Sequence, residues 1–102
     1  MKLLTKEIIT KLEKRGVGKN YQDDDPIICK FFNPVGQGTW YVMDGEKQEN
    51  GDWFFFGFVE WMEKEWGSFS LNELESAKLP FGLGIERDRN YRGTYLDLKN
   101  LA

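Results

Sequence analysis

Asp52-Trp53-Phe54-Phe55-Phe56-Gly57-Phe58-Val59-Glu60-Trp61 is the stretch whose reading decides the fold. Eight of its ten residues are apolar, counting Gly57, and six are aromatic. Aromatic and β-branched side chains suit a pleated, buried surface, so the stretch reads as a strand. Alternate side chains of a strand point to opposite faces. One face then carries Phe54, Phe56 and Phe58, the other Trp53, Phe55, Val59 and Trp61. Both are apolar, which predicts a central strand covered on both sides. An open face that binds something is the alternative.

Working outward, turn chemistry brackets this strand. Asp44-Gly45 and Asn50-Gly51 flank Glu46–Glu49 on one side, and Met62-Glu63-Lys64-Glu65 forms a charged turn on the other. Thr39–Met43 before it, and a short segment Trp66–Phe69 after it, complete an antiparallel meander. Ile27–Phe32 reads as a further strand, and Phe81–Asp88 as a last one rising from a glycine-rich start. Two helices are predicted. The first runs over 6–15, with Thr5 as cap, Glu7 in the first turn, and Lys14 and Arg15 in the last before Gly16. The second runs over 71–78, opened by the capping box Ser70-Leu71-Asn72-Glu73 and ended by Pro80. The expectation is an α+β fold: an antiparallel sheet of four to five strands with two helices packed on it. The 102 residues fit one domain, 1–102, in which 91–102 forms a loosely packed tail.

Composition narrows the function. No run of eighteen apolar residues is present, so no membrane span is expected. Met1-Lys2-Leu3-Leu4 soon meets charged residues, which does not read as a signal peptide. The single cysteine, Cys29, allows no internal disulfide, and a reducing, cytoplasmic location is expected. Cys29 itself reads as a small buried apolar residue. A net charge of −3 argues against a protein built mainly to grip a phosphate backbone.

Chemistry is sparse. The chain has no histidine, the usual general base and neutral metal ligand. Asp23-Asp24-Asp25 lacks the spaced ligands and closing Glu of a calcium loop and reads as a solvated turn. Gly36, Gly38 and Gly45 have the wrong spacing for a phosphate loop. Carboxylates at strand ends, Asp52, Glu86 and Asp88, would be the agents of any magnesium-dependent chemistry, but no spacing ties them together. No enzyme activity, cofactor or metal site is expected.

Lys30-Phe31-Phe32-Asn33-Pro34, Thr39-Trp40-Tyr41-Val42, Gly51-Asp52 with Phe55-Phe56-Gly57, Gly67–Leu74 and Ile85-Glu86-Arg87-Asp88 together resemble the DUF2958 family of small bacterial proteins. The resemblance runs from about Leu3 to Tyr91 and implies a bacterial setting on a mobile element or phage. It brings no catalytic residues. Trp61–Glu65 departs from the family's more polar, glycine-containing turn, so Trp61 and Trp66 stand out as particular to this chain.

The expected function is a non-enzymatic module that binds another protein, with a host defence component as a partner that such a setting suggests. Trp61 and Trp66 flanking their turn, with Trp40 and the Glu86-Arg87-Asp88 cluster, form the candidate interface. The alternative is a single-stranded nucleic-acid-binding accessory protein, which the aromatic density suggests and the acidic neighbours Asp52, Glu60, Glu63 and Glu65 oppose.

Overall fold

The computed structural model describes residues 2–102. Five antiparallel strands form one sheet: β1 (Cys29–Phe32), β2 (Thr39–Lys47), β3 (Trp53–Glu60), β4 (Lys64–Ser70) and β5 (Glu86–Arg87). Their order is β4-β3-β2-β1-β5, so the aromatic stretch is an inner strand. Three α-helices accompany the sheet: α1 (Lys6–Arg15), α2 (Leu71–Glu75) and α3 (Tyr95–Leu101). The architecture is α+β, as the turn dipeptides and caps predicted, with one helix more.

The two faces of β3 meet different cover. On one face Trp53 and Phe55 join Leu3, Ile8 and Leu12 around α1, and Phe69, Leu71 and Leu74 around α2. On the opposite face Phe58 is fully buried with Tyr41, Met43, Ile27 and Leu98. Trp66 is half-buried against Phe58, at 5.0 Å between ring centroids, and against Tyr95 of α3 at 5.5 Å. This second cover stops short. Phe56 is half-buried, and Phe54 at the start of the strand is 52% exposed.

The segment 91–102 is therefore not a loose tail. The backbone N–H groups of Tyr95 and Leu96 donate to the carbonyls of Asp25 and Asp23, which occupies two of the free donors of the first turn of α3. Ile27 N–H donates to Gly93 O at 2.9 Å, and Lys99 pairs with Asp23. The acidic turn thus holds the last helix with its carbonyls. Leu98 is fully buried, and its burial drives the docking.

Several boundaries differ from the predicted ones. β2 continues to Lys47, because Asp44-Gly45 stays in the ladder. A bulge between Val42 and Asp44 shifts the register there, and the hairpin turns at Asn50-Gly51 instead. Gly57 lies opposite this bulge, where a Cβ would sit 1.7 Å from the Tyr41 carbonyl oxygen; glycine is required for that close approach. β1 begins only at Cys29, although Ile28 N–H already bonds Val42 O. α2 ends at Glu75, where the Ser76 hydroxyl donates back to Asn72 O. The last strand shrinks to two residues. β1 ends at Phe32, which pairs with Glu86, so residues 81–84 have no strand edge to join. They close a loop of their own through Leu79 N–H to Leu83 O, with Phe81 at φ 64 and 91% exposed.

Candidate functional site

β2 and β3 leave the sheet at an end where three irregular segments converge. The first is the β1–β2 loop. Asn33 ties it together: its N–H donates to Gly38 O at 2.9 Å, its side-chain amide to Gln37 O, and its Oδ1 accepts from Val35 N–H. An added Cβ at Gly38 would meet the Trp40 ring at 2.9 Å, so glycine there lets the indole lie against the loop. The second segment is the β3–β4 turn, closed by Trp61 N–H to Glu63 O, which places Trp61 59% exposed and Met62 83% exposed. The third is α2 with its exit, held at the N-terminus by two acceptors. Ser70 Oγ accepts from Glu73 N–H at 3.1 Å, half of the predicted capping box. Asp52 Oδ1 accepts from Asn72 N–H at 2.9 Å, and the Glu73 carboxylate stays on the outside.

Between them lies a groove of about 330 Å³. Trp40, Trp61, Leu74, Ala77, Leu79 and Ile85 provide its apolar lining, and Asn33, Gln37 and Glu73 its polar rim. That volume is at the small end for ligand pockets and suits one or two inserted side chains.

The structure brings together two of the candidate residues, Trp40 and Trp61, and separates the rest from them. Trp66 points to the opposite face of the sheet, where its ring stacks on Phe56 at 6.3 Å and packs under α3. Glu86, Arg87 and Asp88 lie at the β5 edge. Arg87 donates to the carbonyls of Lys2 and Leu3, both at 2.8 Å, and so fastens the N-terminal segment. Asp88 faces Lys30 at 3.9 Å and accepts from Asn90 N–H. Asp52 belongs to the far end of β3, since the row that contains Glu86 runs through Phe32 and Thr39 to Glu60. Its Oδ1 also accepts from Trp53 N–H at 2.7 Å, so this buried carboxylate is a structural acceptor. Among the described residues, no group of three or more His, Cys, Asp or Glu side chains is arranged to hold a metal ion.

Two further polar groups, a half-buried phenol and a buried one, are held by carboxylates. Tyr21 O–H donates to Asp44, and Tyr41 O–H to Glu60 Oε1 at 2.9 Å. Burial first, then these carboxylate partners, raise both phenols above their ordinary range. Burial pushes the Cys29 thiol up to about 12 despite the opposing charges of Arg87 and Lys11, so it is a poor nucleophile. No helix among the described residues is long and apolar enough to cross a membrane.

Sequence reasoning did not find Leu79, Ala77, Asn33 or Gln37 as lining residues. Their side chains carry no local signal, because the groove exists only where two loops meet α2 and its exit.

The class defined so far is a small α+β protein whose five-stranded antiparallel sheet ends in an aromatic-lined groove. The family model described as a protein of unknown function, DUF2958, matches residues 3–98, and the chain belongs to that family. No curated protein and no solved structure matches it.

Proposed function

We propose that this chain is a non-enzymatic protein-binding module that takes an apolar side chain of its partner into the groove between Trp40 and Trp61. The observation that carries the reading is Trp61, 59% exposed beside an apolar groove it helps to line. Exposed tryptophans next to a preformed cavity have the character of interface anchors, because their burial on binding removes a large apolar area from water. Met62, more exposed still, extends the same turn and offers an adaptable apolar contact. The bacterial mobile element or phage setting, with a host defence component as partner, is where that partner is to be sought.

The nucleic-acid alternative draws no support from the open aromatics. Phe54 lies across from Glu46 on β2, and Glu60 terminates the same face of β3. A stacking platform needs cations beside the rings.

The test is affinity capture from a bacterial host extract with wild type, Trp61→Ala and Trp61→Glu. A stoichiometric partner is expected on wild type and lost from both variants, with circular dichroism unchanged because Trp61 is mostly outside the core. Recovery of the same partner at wild-type level by Trp61→Glu rules out the groove. Trp66→Ala is unsuitable as a surface probe, since its ring is packed against Phe58 and Tyr95.

A further inference from the structure

A second surface is distinguished by charge. Between α1 and residues 89–93 lies a cleft of about 620 Å³, lined by Glu7, Lys11, Pro26–Ile28 and Arg89–Gly93. A smaller cavity of about 310 Å³ shares Lys11 and Pro26–Ile28 with it and adds Lys14 and Arg15. Five of the fourteen basic residues therefore line these two hollows, against one of the seventeen acidic ones. That one acid, Glu7, is paired with Lys11 at 3.5 Å. The chain is acidic overall, so gathering its cations here and keeping its acids out creates a local field opposite in sign to the net charge.

Of the acids next to the lining residues in the chain or in space, Asp24 is exposed, Asp25 accepts from Gln22 N–H at 2.8 Å, Asp23 pairs with Lys99, and two others have partners of their own. Asp88 faces Lys30, and Asp97 accepts from Thr94 N–H at 2.8 Å. Arg15 spends a donor on Met43 O at 2.7 Å. Lys14, Arg89 and Arg92 are exposed and, among the described residues, have no ion-pair partner. Guanidinium groups suit carboxylate or phosphate because their donors form a planar fork.

We infer that this cleft binds an acidic segment of a partner protein, with Arg89 and Arg92 from one wall and Lys11 from the other engaging its carboxylates, and Lys14 adding positive charge from the adjoining smaller cavity. The apolar strip of Ile27 and Ile28 between them accommodates the methylene stems of glutamates. A nucleic-acid strand fits less well. The single aromatic residue of the lining, Tyr91, packs against Tyr41 at 5.7 Å and carries Lys30 over its ring at 4.9 Å, so it offers no base a free stacking face. A net charge of −3 would also oppose a long, uniformly charged strand beyond the cleft.

The surface is independent of the Trp61 groove, and its test is chosen to be so. Fluorescein-labelled hexaglutamate is titrated by anisotropy at low salt, beside hexaglutamine and an oligothymidylate of equal charge. Hexaglutamate is expected to bind and hexaglutamine not to. Affinity should fall about tenfold in Arg89→Ala/Arg92→Ala, equivalent to about 1.4 kcal/mol, and should fall again with added salt. Trp61→Ala should leave it unchanged, as should Lys47→Ala/Lys64→Ala, a control that removes the same charge from residues lining neither hollow. Absence of hexaglutamate binding to wild type overturns the inference. So does an equal loss in the lysine control, which would assign binding to net charge alone. Tighter binding of oligothymidylate would reassign the cleft to nucleic acid.

Discussion

The carboxylate of Asp52 receives the backbone N–H of Asn72 at 2.9 Å and that of Trp53 at 2.7 Å, so one side chain joins the start of β3 to the first turn of α2. That helix has only five residues and forms one wall of the groove. Its position depends on this long-range cap, because a helix so short has little stability of its own. Asp52→Ala is expected to cost about 1–3 kcal/mol by leaving buried donors unpaired. Asp52→Asn, which keeps an acceptor oxygen, should cost less. Urea unfolding midpoints decide it, and an alanine variant as stable as wild type would refute the capping role.

Gly57 and Gly67 face one another across β3 and β4 but differ in what surrounds them. A Cβ at Gly57 collides with the Tyr41 carbonyl, whereas nothing lies within 4 Å of one at Gly67. Gly57→Ala should therefore destabilise by on the order of 3 kcal/mol, since the backbone of the bulge must move. Gly67→Ala should stay within about 0.5 kcal/mol of wild type. Thermal unfolding of the pair tests this, and equal effects would contradict the close approach.

Alkaline pH should weaken the fold. Burial, reinforced by Asp44 at Tyr21 and by Glu60 at Tyr41, raises these phenols above their ordinary 10.0, and burial with nearby carboxylates raises Tyr91. Cys29, raised by burial from 9.0, acts in the same direction. A group whose folded-state value is raised contributes its full stability below the unfolded value and loses it as pH climbs beyond. Melting temperature should thus fall between about pH 9 and 11. Tyr21→Phe/Tyr41→Phe should show a shallower decline. A flat or rising profile for wild type would be inconsistent with these burials.

Leu98 is fully buried although it lies only four residues before Ala102. Leu98→Ala should cost about 2–5 kcal/mol, the range for emptying a packed core position. Loss should be accompanied by greater exposure of Trp66, read as a red shift of tryptophan emission. A change below about 0.5 kcal/mol would mean that α3 contributes no core.

Much of this architecture was legible locally. Thr5 and Gly16 bound α1 at the expected residues because capping depends on side chains next to the helix ends. The two apolar faces of residues 53–61 announced a strand covered on both sides, since alternation is a local property of the chain. The family was legible too, from segments spread over nearly the whole length.

What tertiary structure alone decided is whatever depends on pairing between distant segments. The Val42–Asp44 bulge kept Asp44-Gly45 in β2, although the dipeptide has turn chemistry. The carbonyls of Asp23 and Asp25, seventy residues away in the chain, turned the polar tail into α3. The short β3–β4 turn sent Trp61 to the groove and Trp66 beneath α3, a separation that spacing alone could not reveal. Lys11 met Arg89 and Arg92 through pairings between distant segments, with Arg87 bonded to the carbonyls of Lys2 and Leu3, Asp88 facing Lys30, and Ile27 N–H donating to Gly93 O. Helix caps and strand alternation follow from neighbouring residues, but surfaces are assembled by long-range register, which is set by the packing of the whole molecule.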